Sequence, residues 1–196
     1  MSGRKQFDVD EALDKSMRAF WEFGYADTSL DVLTKATGLG RGSLYGTFGG
    51  KNDLFVRALE RYEQTYGARY DAAMAPYAHD PVKAIRAFFD VVLDRIEDKD
   101  VPDGCLVAMA AAQSATLVPG TRERVAASLD SQRTRLSSAL RSGGAPTKLA
   151  RELASFAVAV NQSLGLLSRS GSGSRELKTI VTTTCRAVEQ ALSART

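Results

Sequence analysis

Reactive side chains are scarce in this chain of 196 residues, which carries one histidine and two cysteines. Cys105 and Cys185 make neither a disulfide framework nor a metal-ligand spacing. His79 stands beside the Asp80-Pro81 pair with no nucleophile or acid cluster around it, and it is expected at the surface. Gly38, Gly40 and Gly42 alternate, but no strand-like run precedes them, so they make no phosphate-binding loop. Catalysis, a bound metal and a cofactor are therefore not expected. No run of about 18 apolar residues occurs, so no membrane span is expected. Met1 to Phe7 is polar and basic, unlike a secretion signal, and a reducing cytoplasm is the expected compartment. An excess of one charge is missing too. The formal net charge is +3; residues 1–66 carry −1 and residues 122–196 carry +7. Only across residues 28–52 do Lys35, Arg41 and Lys51 outnumber Asp31.

What is present is helical periodicity, organised around Thr28 to Phe55. Ser29 is a good helix N-cap, and Leu30, Leu33 and Ala36 share one face over two turns. Gly38 supplies a sharp turn. Arg41 to Phe48 is too short to be a stable helix alone and must lean on neighbours, with Leu44 and Phe48 facing a core together. Arg41, Ser43, Tyr45 and Thr47 are left to point elsewhere, and they are donors of the kind that reach phosphates and base edges.

Thr37-Gly38, Ser43, Leu44-Tyr45, Phe48, Lys51 and Leu54-Phe55 match in register the recognition-helix segment of the TetR family of bacterial transcriptional regulators, which residues 7 to 56 resemble. The resemblance implies a DNA interface of Arg41, Gly42, Ser43, Tyr45, Gly46 and Thr47, flanked by Thr28 and Lys51, each of which would hold a phosphate. Two departures stand out. Gly46 replaces a frequent aromatic residue, and Gly40 replaces the usual hydroxyl cap. Arg4 and Lys5, ahead of the first helix, are either a solvated terminus or a minor-groove arm.

The pattern continues as all-α. Asp8 and Glu11 have capping-box spacing, and the first helix runs to Gly24 as its C′ residue. A long helix spans Lys51 to Met74, with Tyr62, Tyr66 and Tyr70 on one face. Val82, Ile85, Phe88, Phe89, Val92, Leu93 and Ile96 form a wide apolar stripe after the Asp80-Pro81 cap. Helices are expected over Cys105–Leu117, from Pro119 to Gly143, over Thr147–Ser168 and from Arg175 to Ser193, nine in all. The resemblance implies three helices for DNA and six for regulation, with the division at residues 1–55 and 56–196. It also implies a homodimer through the last two helices, binding a double-stranded operator. Geometry asks for the same, since two half-sites are read at least about 34 Å apart.

Three readings of the second domain remain open. One is a pocket for an unidentified small-molecule effector, lined by Phe88, Phe89, Val92, Met109, Gln113, Phe156 and Val160. The second is a thiol sensor at Cys105, where Gly104-Cys105-Leu106 resembles a helix start in a sub-group of TetR-like regulators. Met109 departs there from a frequent asparagine. The third is a helical domain that only dimerises. On the effector reading the chain is a repressor released from a palindromic operator.

Overall fold

The computed structural model describes residues 7–194, so the Arg4-Lys5 arm lies outside the described residues. Among these residues there are nine α-helices and no strand: α1 (Val9–Asp27), α2 (Leu30–Thr37), α3 (Arg41–Phe48), α4 (Lys51–Met74), α5 (Pro81–Glu97), α6 (Leu106–Ala112), α7 (Pro119–Ser142), α8 (Thr147–Arg169) and α9 (Ser174–Ser193). None is long and apolar enough to cross a membrane.

Asp8 caps α1, its carboxylate accepting the N–H groups of Asp10 (2.9 Å) and Glu11 (3.1 Å). Glu11 pairs with Lys15 at 2.8 Å, where the sequence had suggested the reciprocal half of a capping box. Gly24 does not end the helix. It takes φ +76° and interrupts it, and one more turn runs on to Asp27. The backbone angle calls for glycine, and a Cβ at Gly24 would stand 2.6 Å from the Gln113 side-chain amide and push it aside.

One core unites the helices. Phe20 meets Phe55 edge-on at 4.9 Å, and Trp21 stands edge-on to Tyr62 and Tyr66 at 5.0 and 5.8 Å. Each fully buried ring of this kind contributes about 1.5–3 kcal/mol over an exposed one. Leu33 of α2 and Leu44 and Phe48 of α3 close the same core from below. That contact lets two eight-residue helices persist. α4 continues without a break past this core and packs on α5 and α7. α5 is the axis of the larger part, touching α4, α7, α8 and α9.

α6 is shorter than expected. It stops at Ala112 and gives way to a 3₁₀ turn, Ser114–Thr116. The Thr116 hydroxyl bonds the Gln113 carbonyl at 2.8 Å, a local bond that competes with helix continuation. Gln113 is meanwhile drawn sideways, its Oε1 accepting the Ala26 N–H at 3.2 Å. α6 is thereby fastened to the end of α1. Arg169 of α8 adds a second fastening by donating to the backbone carbonyls of Trp21 and Glu22.

Candidate nucleic-acid interface and effector cavity

Ser29 caps α2 by accepting the Val32 N–H at 3.2 Å, and Gly38 closes it at φ +73°. The chain then re-enters a helix at Gly40, where no side chain caps the first turn. Leu44 and Phe48 are buried on one side of α3. Arg41, Gly42, Ser43, Tyr45 and Gly46 are exposed and Thr47 is half-buried on the other. Tyr45 leaves 49% of its surface in solvent, a large amount for an aromatic ring on so small a helix. Nothing lies within 4 Å of where a Cβ would stand at Gly42 or Gly46, so no packing inside the chain calls for glycine at either position.

Two cations beside this face are already engaged. Arg41 pairs with Asp31 at 2.5 Å across the turn, and that bond raises its pKa. Lys51 lies over the Tyr25 ring at 4.5 Å and donates to the Ala26 carbonyl at 3.3 Å. Partial burial lowers its pKa, and Asp27 opposes the shift. Arg57, which sequence reasoning passed over, spans from the Phe48 ring (5.7 Å) to the Thr47 carbonyl (3.4 Å) beside the same face. Its signal was present: a cation two turns into the helix that follows the recognition segment. The Thr28 expectation needs correction. Its side chain is fully buried, and the hydroxyl donates to the Gly24 carbonyl at 2.5 Å, with the Ala19 carbonyl at 3.3 Å. It closes the broken end of α1 and cannot present its hydroxyl to a phosphate.

The expected effector pocket also needs correction. Phe88, Phe89 and Val92 are solid core, with Phe88 tilted on Tyr70 at 4.5 Å. Phe156 is 43% exposed and Val160 half-buried, because the core-facing side of α8 is Ala154, Ala157, Val158 and Asn161. Met109 is half-buried on α6, and Gln113 belongs to the fastening on α1. These residues do not converge. Cys105, the candidate thiol sensor, lines a small, partly open cavity of about 30 Å³ together with Tyr62, Tyr66, Tyr70, Arg95 and Gln132. It precedes α6 rather than opening it, and its sulfur accepts from Tyr62 Oη at 3.4 Å. Burial raises the Cys185 thiol pKa. Arg95 was missed, although a charged residue two turns beyond Phe88 and one beyond Val92 on an apolar stripe is a readable anomaly.

A short, one-sided helix presented after a tight turn, its outer face free of packing, is the architecture of a helix-turn-helix DNA-binding protein. Two family profiles match: "Bacterial regulatory proteins, tetR family" over residues 12–58 and "Transcriptional regulator LmrA/YxaF-like, C-terminal domain" over residues 81–183. The chain belongs to the TetR family of bacterial transcriptional regulators. It is 37% identical over 103 residues to the HTH-type transcriptional repressor ComR of Escherichia coli, covering 53% of this chain and 49% of ComR. It is 34% identical over 82 residues to the regulator AcrR of Shigella flexneri, covering 42% and 38%. The matched region thus spans half or less of the length of these curated relatives. Among solved structures, a cysteine mutant of the TetR-family regulator CifR, complexed with 26-bp double-strand operator DNA, superposes with a TM-score of 0.85 at 27% identity. That superposition covers 94% of this chain and 98% of CifR. The reduced form of NemR from E. coli shares the fold, with a TM-score of 0.75 at 20% identity over 92% of this chain and 94% of NemR.

Proposed function

We propose that the chain is an effector-controlled repressor that binds a palindromic operator as a homodimer and lets go when a small molecule enters the larger domain. The observation that carries this reading is the outer face of α3. Its donors Ser43, Tyr45 and Thr47 are left out of the core on a helix whose other side is fully buried. The likeness to CifR, a structure solved with operator DNA, supports the same reading over nearly the whole chain.

In this scheme residues 1–55 bind DNA, and residues 56–196 sense and dimerise. Tyr45 and Thr47 contact phosphates, Arg41 and Ser43 reach bases or adjacent phosphates, and the backbone at Gly42 and Gly46 lies close to the duplex. Arg41 exchanges Asp31 for DNA. Lys51 has ammonium hydrogens left for a phosphate beyond the Ala26 carbonyl. Effector binding shifts α4, which continues from the reading head into the cavity wall, while Gln113 and Arg169 carry the movement of α6 and α8 to α1. The Cys105 sensor reading has less support, since the thiol is buried and already bonded to Tyr62.

Fluorescence anisotropy with DNA enriched by binding-site selection tests the proposal. The expected result is a palindromic site bound at least about 10³-fold more tightly than random DNA. Selection that yields no preferred sequence would overturn it.

A further inference from the structure

Arg95 is a cation without a counter-ion. It is 1% exposed, and a guanidinium stays protonated throughout the physiological range. Nη1 donates to Tyr70 Oη at 2.9 Å, and the Tyr66 ring centroid lies 5.6 Å from the guanidinium carbon. Nε and Nη2 have no hydrogen-bond partner. Among the described residues no carboxylate forms an ion pair with it. Glu63, the one acid on the cavity wall, gives its Oε2 to Arg124, and its buried Oε1 has no hydrogen-bond partner but makes no ion pair with Arg95. Tyr62, Tyr66 and Tyr70 supply no charge either, because burial pushes their hydroxyls above the ordinary tyrosine range.

The open edge is the one that accepts a carboxylate. Elsewhere in this chain the same Nε/Nη2 edge grips Asp14 through Arg61 at 2.7 and 2.9 Å, and Asp71 through Arg135 at 2.6 and 3.2 Å. Two parallel charge-assisted bonds of this kind are the strong, direction-specific form of arginine recognition. The cavity, of about 30 Å³ and partly open beside exposed Ser131, has room for a group the size of one water or one carboxylate. Arg135, whose Nη2 would stand 3.1 Å from a Cβ at Gly67, lies over Gly67 on the same wall and is itself paired with Asp71.

We propose that the effector is a small organic acid whose carboxylate docks on the Nε/Nη2 edge of Arg95, between the tyrosines of α4 and Gln132 of α7. The assignment rests on the reading of the chain as an effector-controlled regulator and adds the chemical class of the effector. Any acid larger than its carboxylate must part α4 from α7 to enter. It therefore moves the helix that carries Tyr62, Tyr66 and Tyr70 at one end and supports α3 at the other. The Cys105 sulfur lines the same cavity, so the test separates an acid from solution from a response that needs the thiol.

Trp21, the chain's single tryptophan, packs edge-on against Tyr62 and Tyr66 and reports on the cavity without DNA. Acetate, benzoate and phenylacetate are titrated against benzamide and chloride, following tryptophan fluorescence and melting temperature, with operator anisotropy measured separately. The expected result is a saturable fluorescence change and an upward melting shift with at least one carboxylate, and neither with benzamide or chloride. C105S should keep the response. R95M should lose it while melting no lower than the ligand-free wild type, as often follows when an uncompensated buried charge is replaced by a hydrophobe of similar volume. Should R95M not fold, R95K decides the matter, since a point charge cannot reproduce the bidentate grip and affinity should fall about tenfold or more. Silence from all three carboxylates, an equal response to benzamide, an unchanged response in R95M or R95K, or its loss in C105S overturns the proposal. Carboxylate binding without operator release would instead overturn the release scheme and leave the ligand class standing.

Discussion

A hydroxyl as deeply buried as that of Thr28 must be bonded, and the carbonyl freed by the kink at Gly24 is its partner. Replacing it isosterically by valine (T28V) leaves that carbonyl without its donor, at an expected cost of about 1–3 kcal/mol in chemical unfolding. The salt dependence of DNA binding should not change, because this side chain is buried inside the chain. Lys51 should behave in the opposite way. K51A is expected to weaken all DNA sequences alike and to lower the salt slope by about 1. A changed sequence preference with an unchanged slope would remove Lys51 from the phosphate contacts. Tyr62 and Tyr70 make a pH-dependent contribution. Burial raises both hydroxyl pKa values, opposed chiefly by Arg95. The unfolded chain releases these protons near pH 10, whereas the folded chain holds them longer. Above that pH the unfolded state binds fewer protons, so stability falls as pH rises, by up to about 1.4 kcal/mol per pH unit for each tyrosine. Chemical melts of wild type and Y62F across this range should converge as pH climbs and run parallel below it. A constant difference throughout would mean that Tyr62 ionises as freely folded as unfolded.

Among the elements, α3 and α6 show what the residue pattern could and could not reveal. α3 was legible because its two buried residues sit four apart, because its turn requires a glycine, and because its outer residues match a family in register. Its glycines are the unexplained part. Gly46 has open space around it, and an exposed helical glycine costs about 1 kcal/mol relative to alanine. G46A should therefore raise the melting temperature by about 2–4 °C. If the backbone does lie against the duplex there, the same variant should lose operator affinity, and an anisotropy titration of unchanged affinity would remove Gly46 from the interface. The end of α6 was not legible. Whether small residues such as Ala111 and Ala112 continue as a helix depends on what Gln113 meets, and it meets the kink in α1, far away in sequence. The cavity was misplaced for a related reason. Apolar periodicity marks a buried face but not which of several faces a long helix turns inward, so Phe156 and Val160 were assigned to the wrong side of α8. Polar residues at core-facing positions, Arg95 and Asn161, were the better signal, because burying them needs a reason that apolar side chains do not.

At the scale of the whole molecule, the outward side of α8 leaves Phe156 and Leu166 exposed, with Val160 and Leu167 half-buried along the same helix. On α9, Thr179 and Thr182 turn their hydroxyls into their own helix, each bonding the carbonyl four residues earlier at 2.8 Å. The exposed apolar residues of α8 suit burial against a second copy of the chain, and on α9 these two hydroxyls ask for no outside partner. A two-fold arrangement would place two α3 helices on successive major-groove faces. Each half-site alone buries little surface, so the operator's affinity would come from joining the two. Introducing a charge at each exposed apolar position, F156E with L166E, should leave the circular dichroism of the monomer intact, since neither side chain belongs to the core. Sedimentation should then give the chain mass where the wild type gives twice that value. Operator affinity should fall by about 10²-fold or more, while affinity for random DNA, set by phosphate contacts within one reading head, should fall far less. A doubly charged variant that still sediments as a dimer would move the interface elsewhere. A monomer that binds the operator with undiminished affinity would mean that one α3 suffices, and the palindromic scheme would fall with it.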